Sequence, residues 1–279
     1  MRPGCFTFLV LASCHASEPP AAPPPAVHPP PAYAAPAAHP PPAYAPLPAA
    51  PTRPPSARRV VPVRVLGARW RGQLPSDESG PWSFGDAPLI VGNLNTSATD
   101  TGLSFVLESA AALDVIDERM ALVPSTRAEA TAAMESFAAS GRVSNQMLTV
   151  VVVGVSRTSW VSGWGQQGHP LRTPGKWPII MVNTRIAKSR DAHWMGHELG
   201  HVIGFYDTTF YEAAPVDNPP YTQCGLFIPS RTYPQNMAPP GARQNLMSYE
   251  TEERRTFFSA GYEGIHRQIL DCWIRSSGL

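Results

Sequence analysis

Proline sets the first limit on what this chain can fold into. Of its 33 prolines, 18 fall within the first 60 residues. Residues 15–57 are mostly proline and alanine, and the seven-residue unit HPPPAYA stands at 28–34 and again at 39–45. Proline at this density favours extended polyproline II and cannot pack a core. His28 and His39 belong to the repeat and read as solvated. The tract reads as a semi-rigid spacer. Folding is thereby confined to residues 58–279, about 220 residues, enough for one domain with a sizeable core.

Ahead of the spacer, residues 1–14 read MRPGCFTFLVLASC. Arg2 supplies a positive start and 5–12 a short apolar run. Leu11, Ala12, Ser13 and Cys14 resemble the bacterial lipobox, in which the cysteine is lipidated and becomes the mature N-terminus. The expectation is an exported monomer, facing the periplasm or the cell exterior. A lipidated Cys14 would be its sole hold on a membrane; without it the protein is secreted. No apolar run reaches the roughly 20 residues of a membrane-spanning helix. The net charge is +1, without a basic block interleaved with aromatics, which speaks against nucleic acid as a partner. Cys224 and Cys272 lie in the folded region. Export would favour their pairing; the alternative is two buried thiols.

From residue 58 the patterning is that of a packed domain. A strand is expected over 60–66 and a helix over 86–99, where Leu89, Ile90, Leu94 and Ala98 share an apolar face. A short strand follows over 105–107. Residues 127–139 are rich in Ala and Glu and fit a helix capped by Ser125 or Thr126. The apolar, β-branched run 147–155 predicts a buried central strand. Residues 161–167 are punctuated by glycine and read as an edge strand or loop. Another buried strand is expected over 178–183, a helix over 191–203, irregular chain to 245, and a last helix over 259–274. Alternation of strands and helices predicts an α+β domain with an α/β-like N-terminal part.

The chemistry concentrates in His197-Glu198-Leu199-Gly200-His201. Histidines at i and i+4 on a helix face the same way, close enough to share one metal ion. Glu198 projects beside that metal, placed to take a proton from an activated water. Five residues are a weak signal by themselves. The full run is HELGHVIGFYD, however. Gly204 can take the left-handed turn that stops the helix. The chain can then swing back and bring Asp207 to the metal. A carboxylate oxygen is a normal zinc ligand. The alternative is a turn aspartate, with water as third ligand. His193, one turn before His197, reads as an outer or surface histidine.

The run resembles the metzincin signature HExxHxxGxxH, with aspartate in place of the last histidine. Asn245-Leu246-Met247-Ser248-Tyr249 resembles the metzincin Met-turn, and Met247 stands 40 residues after Asp207. The resemblance implies a zinc metallopeptidase with Zn2+ held by His197, His201 and Asp207. It implies Glu198 as general base, Met247 as apolar floor and a twisted, mostly parallel sheet with a closing helix. Tyr249 stands where some families place a tyrosine that reaches the metal or the oxyanion; simple packing is its alternative. Aspartate at the third position is similar to the snapalysin group. The segments PLIVGNLNTSATDTGLSFVLES, GFYDTTF and FFSAGYEGIHRQIL resemble pappalysin-like proteases, and both subgroups stay open. The implied substrate is a peptide or protein, extended along the edge strand at 161–167. Two rivals remain: a metal-binding but inactive surface protein, and a structural lipoprotein whose proline tract is the working part.

Overall fold

The computed structural model describes residues 58–156, 161–210, 214–249 and 256–279. The expected leader, Cys14 and the spacer at 15–57 lie outside the described residues. In chain order the elements are β1 (Arg59–Arg69), β2 (Ser76–Asp77), β3 (Gly80–Pro81), α1 (Ala87–Ser97), β4 (Leu103–Asp114), α2 (Arg127–Ala139), β5 (Leu148–Val153) and β6 (Gly163–Gly165). There follow β7 (Ile179–Asn183), α3 (Thr184–Lys188), α4 (Ala192–Ile203), β8 (Thr209–Phe210), β9 (Val216–Tyr221), β10 (Ile228–Pro234), α5 (Pro240–Arg243) and α6 (Glu263–Ser276).

Every residue of β5 is buried, and its neighbours explain why. The main sheet has the order β4-β1-β5-β7-β6. Strands β4, β1, β5 and β7 run parallel, and β6 pairs antiparallel with β7 at the edge. Side chains alternate across a strand. Val150, Val152, Ile180 and Val182 pack with α1, α4 and α6. Val151, Val153, Ile179 and Met181 pack with Ala130, Met134 and Phe137 of α2. A sheet covered on both faces has no polar alternation to show, so the run reads as continuously apolar. Each side chain buried this way contributes ~1.5–3 kcal/mol. The fold is a mixed α+β arrangement around a mostly parallel sheet.

Helix α2 begins where expected. Thr126 Oγ1 accepts from Glu129 N at 3.3 Å, and a Glu129 carboxylate oxygen accepts from Thr126 N at 3.2 Å. This reciprocal cap satisfies two amides that the first turn cannot. Several elements differ from expectation: the β2-β3 hairpin, α3 and α5 carry no counterpart in the sequence reading, and α6 starts at Glu263 rather than at 259. Strand β4 covers twelve residues rather than three, because β1 pairs with it along its whole length. Its second half, Glu108 to Ala112, is polar or small and carries no apolar alternation. The segment 209–245, expected as irregular, contains a three-stranded sheet of order β8-β10-β9. Pro219 and Pro220 inside the exposed β9 hide that strand from a propensity reading. Helix α6 closes the domain, and Cys272 on it forms a disulfide with Cys224, with Cα atoms 5.9 Å apart.

Candidate metal centre

Helix α4 carries the centre. The Asp191 side chain caps it by accepting from His193 N at 3.0 Å. It stops at Gly204, whose φ is +120°. A Cβ at Gly204 would also lie 2.8 Å from the Tyr221 ring, so backbone and space both require glycine. The chain then turns back across the helix end.

That turn brings three groups together. His197 Nδ1 lies 3.1 Å from the Leu246 carbonyl, and His201 Nδ1 lies 3.0 Å from the Phe205 carbonyl. A carbonyl only accepts, so each Nδ1 carries the proton, and each Nε2 of the neutral ring presents a lone pair. Asp207 Oδ1 sits 3.1 Å from His197 Nε2 and 3.4 Å from His201 Nε2. One donor atom from each of the three residues lies within 4.8 Å of the others. Both imidazoles are buried, and Asp207 Oδ1 is sealed from solvent without a well-formed hydrogen bond among the described residues. Two lone pairs and a carboxylate oxygen facing one point repel one another, and a divalent cation satisfies all three. The donor set, two imidazoles and one carboxylate, suits zinc.

Electrostatics favours the metal-ready forms. Burial pushes the His201 pKa down to about 4, against the opposing pull of Asp207. For Asp207, burial acts to raise the carboxyl, but the positive charge that His201 and His197 take up in acid outweighs it and holds the group below the usual range. At neutral pH the ring is uncharged and the carboxyl ionised, as metal ligation requires.

Glu198 is 6% exposed and faces the edge strand. The Cβ of a residue in place of Gly163 would stand 3.2 Å from Glu198 Cγ. At Gly165 it would run into the Glu198 carbonyl, so the glycines of β6 let that strand lie directly on α4. Met247 lies beneath the helix: a Cβ on Gly200 would collide with its sulfur. Tyr249 places its ring 5.2 Å from that of His197, nearly edge-on, and 5.1 Å from Phe210. His193 pairs with Asp191 at 2.9 Å and takes no part in the cluster.

The supporting residues were not foreseen. Asn245 Oδ1 accepts from Met247 N at 3.0 Å, while its Nδ2 donates to the Phe257 carbonyl at 2.8 Å and to Ser259 Oγ at 2.9 Å. Thr209 Oγ1 accepts from Tyr249 N at 2.9 Å. Thr232 Oγ1 donates to the Asp207 carbonyl at 2.6 Å, tying the aspartate loop to β10. Asn245 stood inside the NLMSY segment and Thr209 inside GFYDTTF; Thr232 carried no signal. Above the cluster opens a cleft of about 500 Å³, bounded by β6, the first turn of α2, β9 and Tyr249.

No protein-family model matches the chain, and no curated protein matches it. Among solved structures it is similar to metalloproteinase-II from Bacteroides fragilis, at 14% identity and a TM-score of 0.43, over 80% of this chain and 55% of that one. It therefore spans about half the length of that protein. It is also similar to archaemetzincin from Methanopyrus kandleri, at 12% identity and a TM-score of 0.37, over 80% and 98% of the two chains. A chaperone–substrate complex matches at 13% identity and a TM-score of 0.35, over 58% and 27%. These likenesses are loose, and the functional reading rests on the geometry of the cluster.

Proposed function

We propose that the chain is a zinc-dependent endopeptidase. The observation that carries this reading is the convergence of His197 Nε2, His201 Nε2 and Asp207 Oδ1 at the floor of an open cleft, with Glu198 beside them. Zinc held there would polarise a substrate carbonyl and lower the pKa of water to about 7. The remaining roles belong to the chain. The Leu246 and Phe205 carbonyls fix both imidazoles with Nε2 toward the metal. The outer edge of β6 is the side away from its partner β7, and an extended peptide pairs along it by main-chain hydrogen bonds. Glu198 accepts the proton of the attacking water and returns it to the leaving amine. The Tyr249 hydroxyl donates to the developing oxyanion. The setting is outside the cytosol, supported by the Cys224–Cys272 disulfide and the lipobox-like LASC segment.

The test is Glu198→Gln, which removes the base and leaves the ligands. Zinc should stay stoichiometric, while casein hydrolysis falls by about 10²–10⁴-fold. Full activity in that variant overturns the mechanism. No casein hydrolysis by zinc-loaded wild type would favour the inactive metal-binding reading.

A further inference from the structure

The cleft carries a charge that the hydrolytic machinery does not use. Among the described residues that line it, Arg127, the first residue of α2, is the one lysine or arginine. Its backbone position is well fixed. Trp164 Nε1, on β6, donates to the Pro124 carbonyl at 3.0 Å and ties the approach to α2 onto the edge strand. The Thr126–Glu129 cap sets the first turn. The same cap takes Glu129 away from Arg127, because a Glu129 oxygen accepts from Ser125 N at 3.1 Å and from Thr126 N at 3.2 Å. Arg127 itself is exposed and lines the cleft.

The other charged residues of the lining are Glu198 and Asp207. On the proposed function a dication balances those two carboxylates, which leaves the guanidinium as the net charge facing a substrate. A guanidinium presents a planar fork of donors that matches a carboxylate. Arg127 starts the helix whose approach is tied to β6 through Trp164, the strand along which the peptide would run.

We propose that Arg127 forms a carboxylate-binding subsite, so that the cleft selects peptides carrying an acidic group near the scissile bond. That group is either an Asp or Glu side chain or a free C-terminal carboxylate. The inference rests on the peptidase reading for its substrate class, but it can be measured without turnover.

The experiment uses the full chain, zinc-loaded, in the Glu198→Gln background, and fluorescent peptides read by anisotropy. One series places Glu or Gln at successive positions; a second compares a free C-terminus with its amide. The Glu peptide, or the free acid, should bind about tenfold more tightly than its neutral partner. Whichever series shows the difference identifies the source of the carboxylate. Adding Arg127→Ala should abolish the difference, Arg127→Lys should keep most of it, and Arg127→Glu should reverse it in favour of Lys peptides. Equal binding of charged and neutral peptides overturns the subsite. So does an equal loss for both in Arg127→Ala, which would make Arg127 a part of the cleft wall. Turnover of the same peptides by wild type separates the two readings. Preference without any cleavage sinks the peptidase and leaves the subsite; cleavage without preference sinks the subsite.

Discussion

At the scale of single residues, Asp207 is the member of the proposed ligand set most open to test. Its oxygen meets both imidazoles at 3.1 and 3.4 Å, and its carbonyl is anchored by Thr232. Asp207→Ala leaves two histidines and water. Zinc affinity, measured by competition with a chromogenic chelator, should fall by more than the roughly 10–100-fold that losing an outer partner costs. Asp207→His should keep zinc, since imidazole is as good a ligand at this position. Affinity equal to wild type in Asp207→Ala would remove the aspartate from the ligand set. The reach of this side chain was legible in part: Gly204 announced a turn, and the spacing placed residue 207 after it. Its alternative, a turn aspartate with water as third ligand, is weighed against the return of the loop, which sets Oδ1 beside both imidazoles.

At the scale of elements, the site depends on how closely three backbones approach. The NLMSY turn comes up beneath α4 because Gly200 has no side chain there; β6 lies against the opposite side because Gly163 and Gly165 have none. Glycine in a strand usually weakens it, so by sequence alone 161–167 stands between edge strand and loop. The physical reason for those glycines is a helix, which lies 30 and more residues away in the chain. Gly200→Ala would drive a methyl into the Met247 sulfur and to within 3.0 Å of Phe257. Urea unfolding should show a loss of about 1–3 kcal/mol or more, as overpacked cores do. Met247→Leu, of similar volume, should cost less than about 1.5 kcal/mol. A Gly200→Ala protein as stable as wild type would mean the turn can withdraw freely from the helix.

At the scale of the whole molecule, acid should loosen the fold through buried histidines. His266 stacks on Phe205 with ring centroids 4.1 Å apart, and its Nδ1 lies 2.7 Å from the Phe257 carbonyl. Burial pushes its pKa down to about 4, and that of His169 to about 4 as well. A depressed histidine is neutral when folded but takes a proton when unfolded. Above pH ~6.5 both states are neutral and stability is level. Between about 6.5 and 4 the unfolded state binds more protons, so stability falls with pH, by ~3 kcal/mol for fully buried His266. Urea midpoints of the chelator-treated protein at pH 7, 5.5 and 4.5 should drop in that order, and less steeply in His266→Gln. A flat series would mean these rings are not held neutral. His266 had no sequence signal beyond its place in a helix, since its burial depends on Phe205 arriving from another part of the chain. The sequence alone determined what near neighbours encode. The i, i+4 histidines follow the 3.6-residue period of a helix, the glycine stop follows from backbone freedom, and the short, continuously apolar β5 is the mark of a strand covered on both faces. Tertiary structure decided the rest: the return of Asp207, the Nδ1–carbonyl bonds that orient both imidazoles, the small sheet β8-β10-β9, and the presence of Arg127 in the cleft. These are contacts between segments tens of residues apart, whose meeting depends on the path of the intervening loops, and no local periodicity specifies that path.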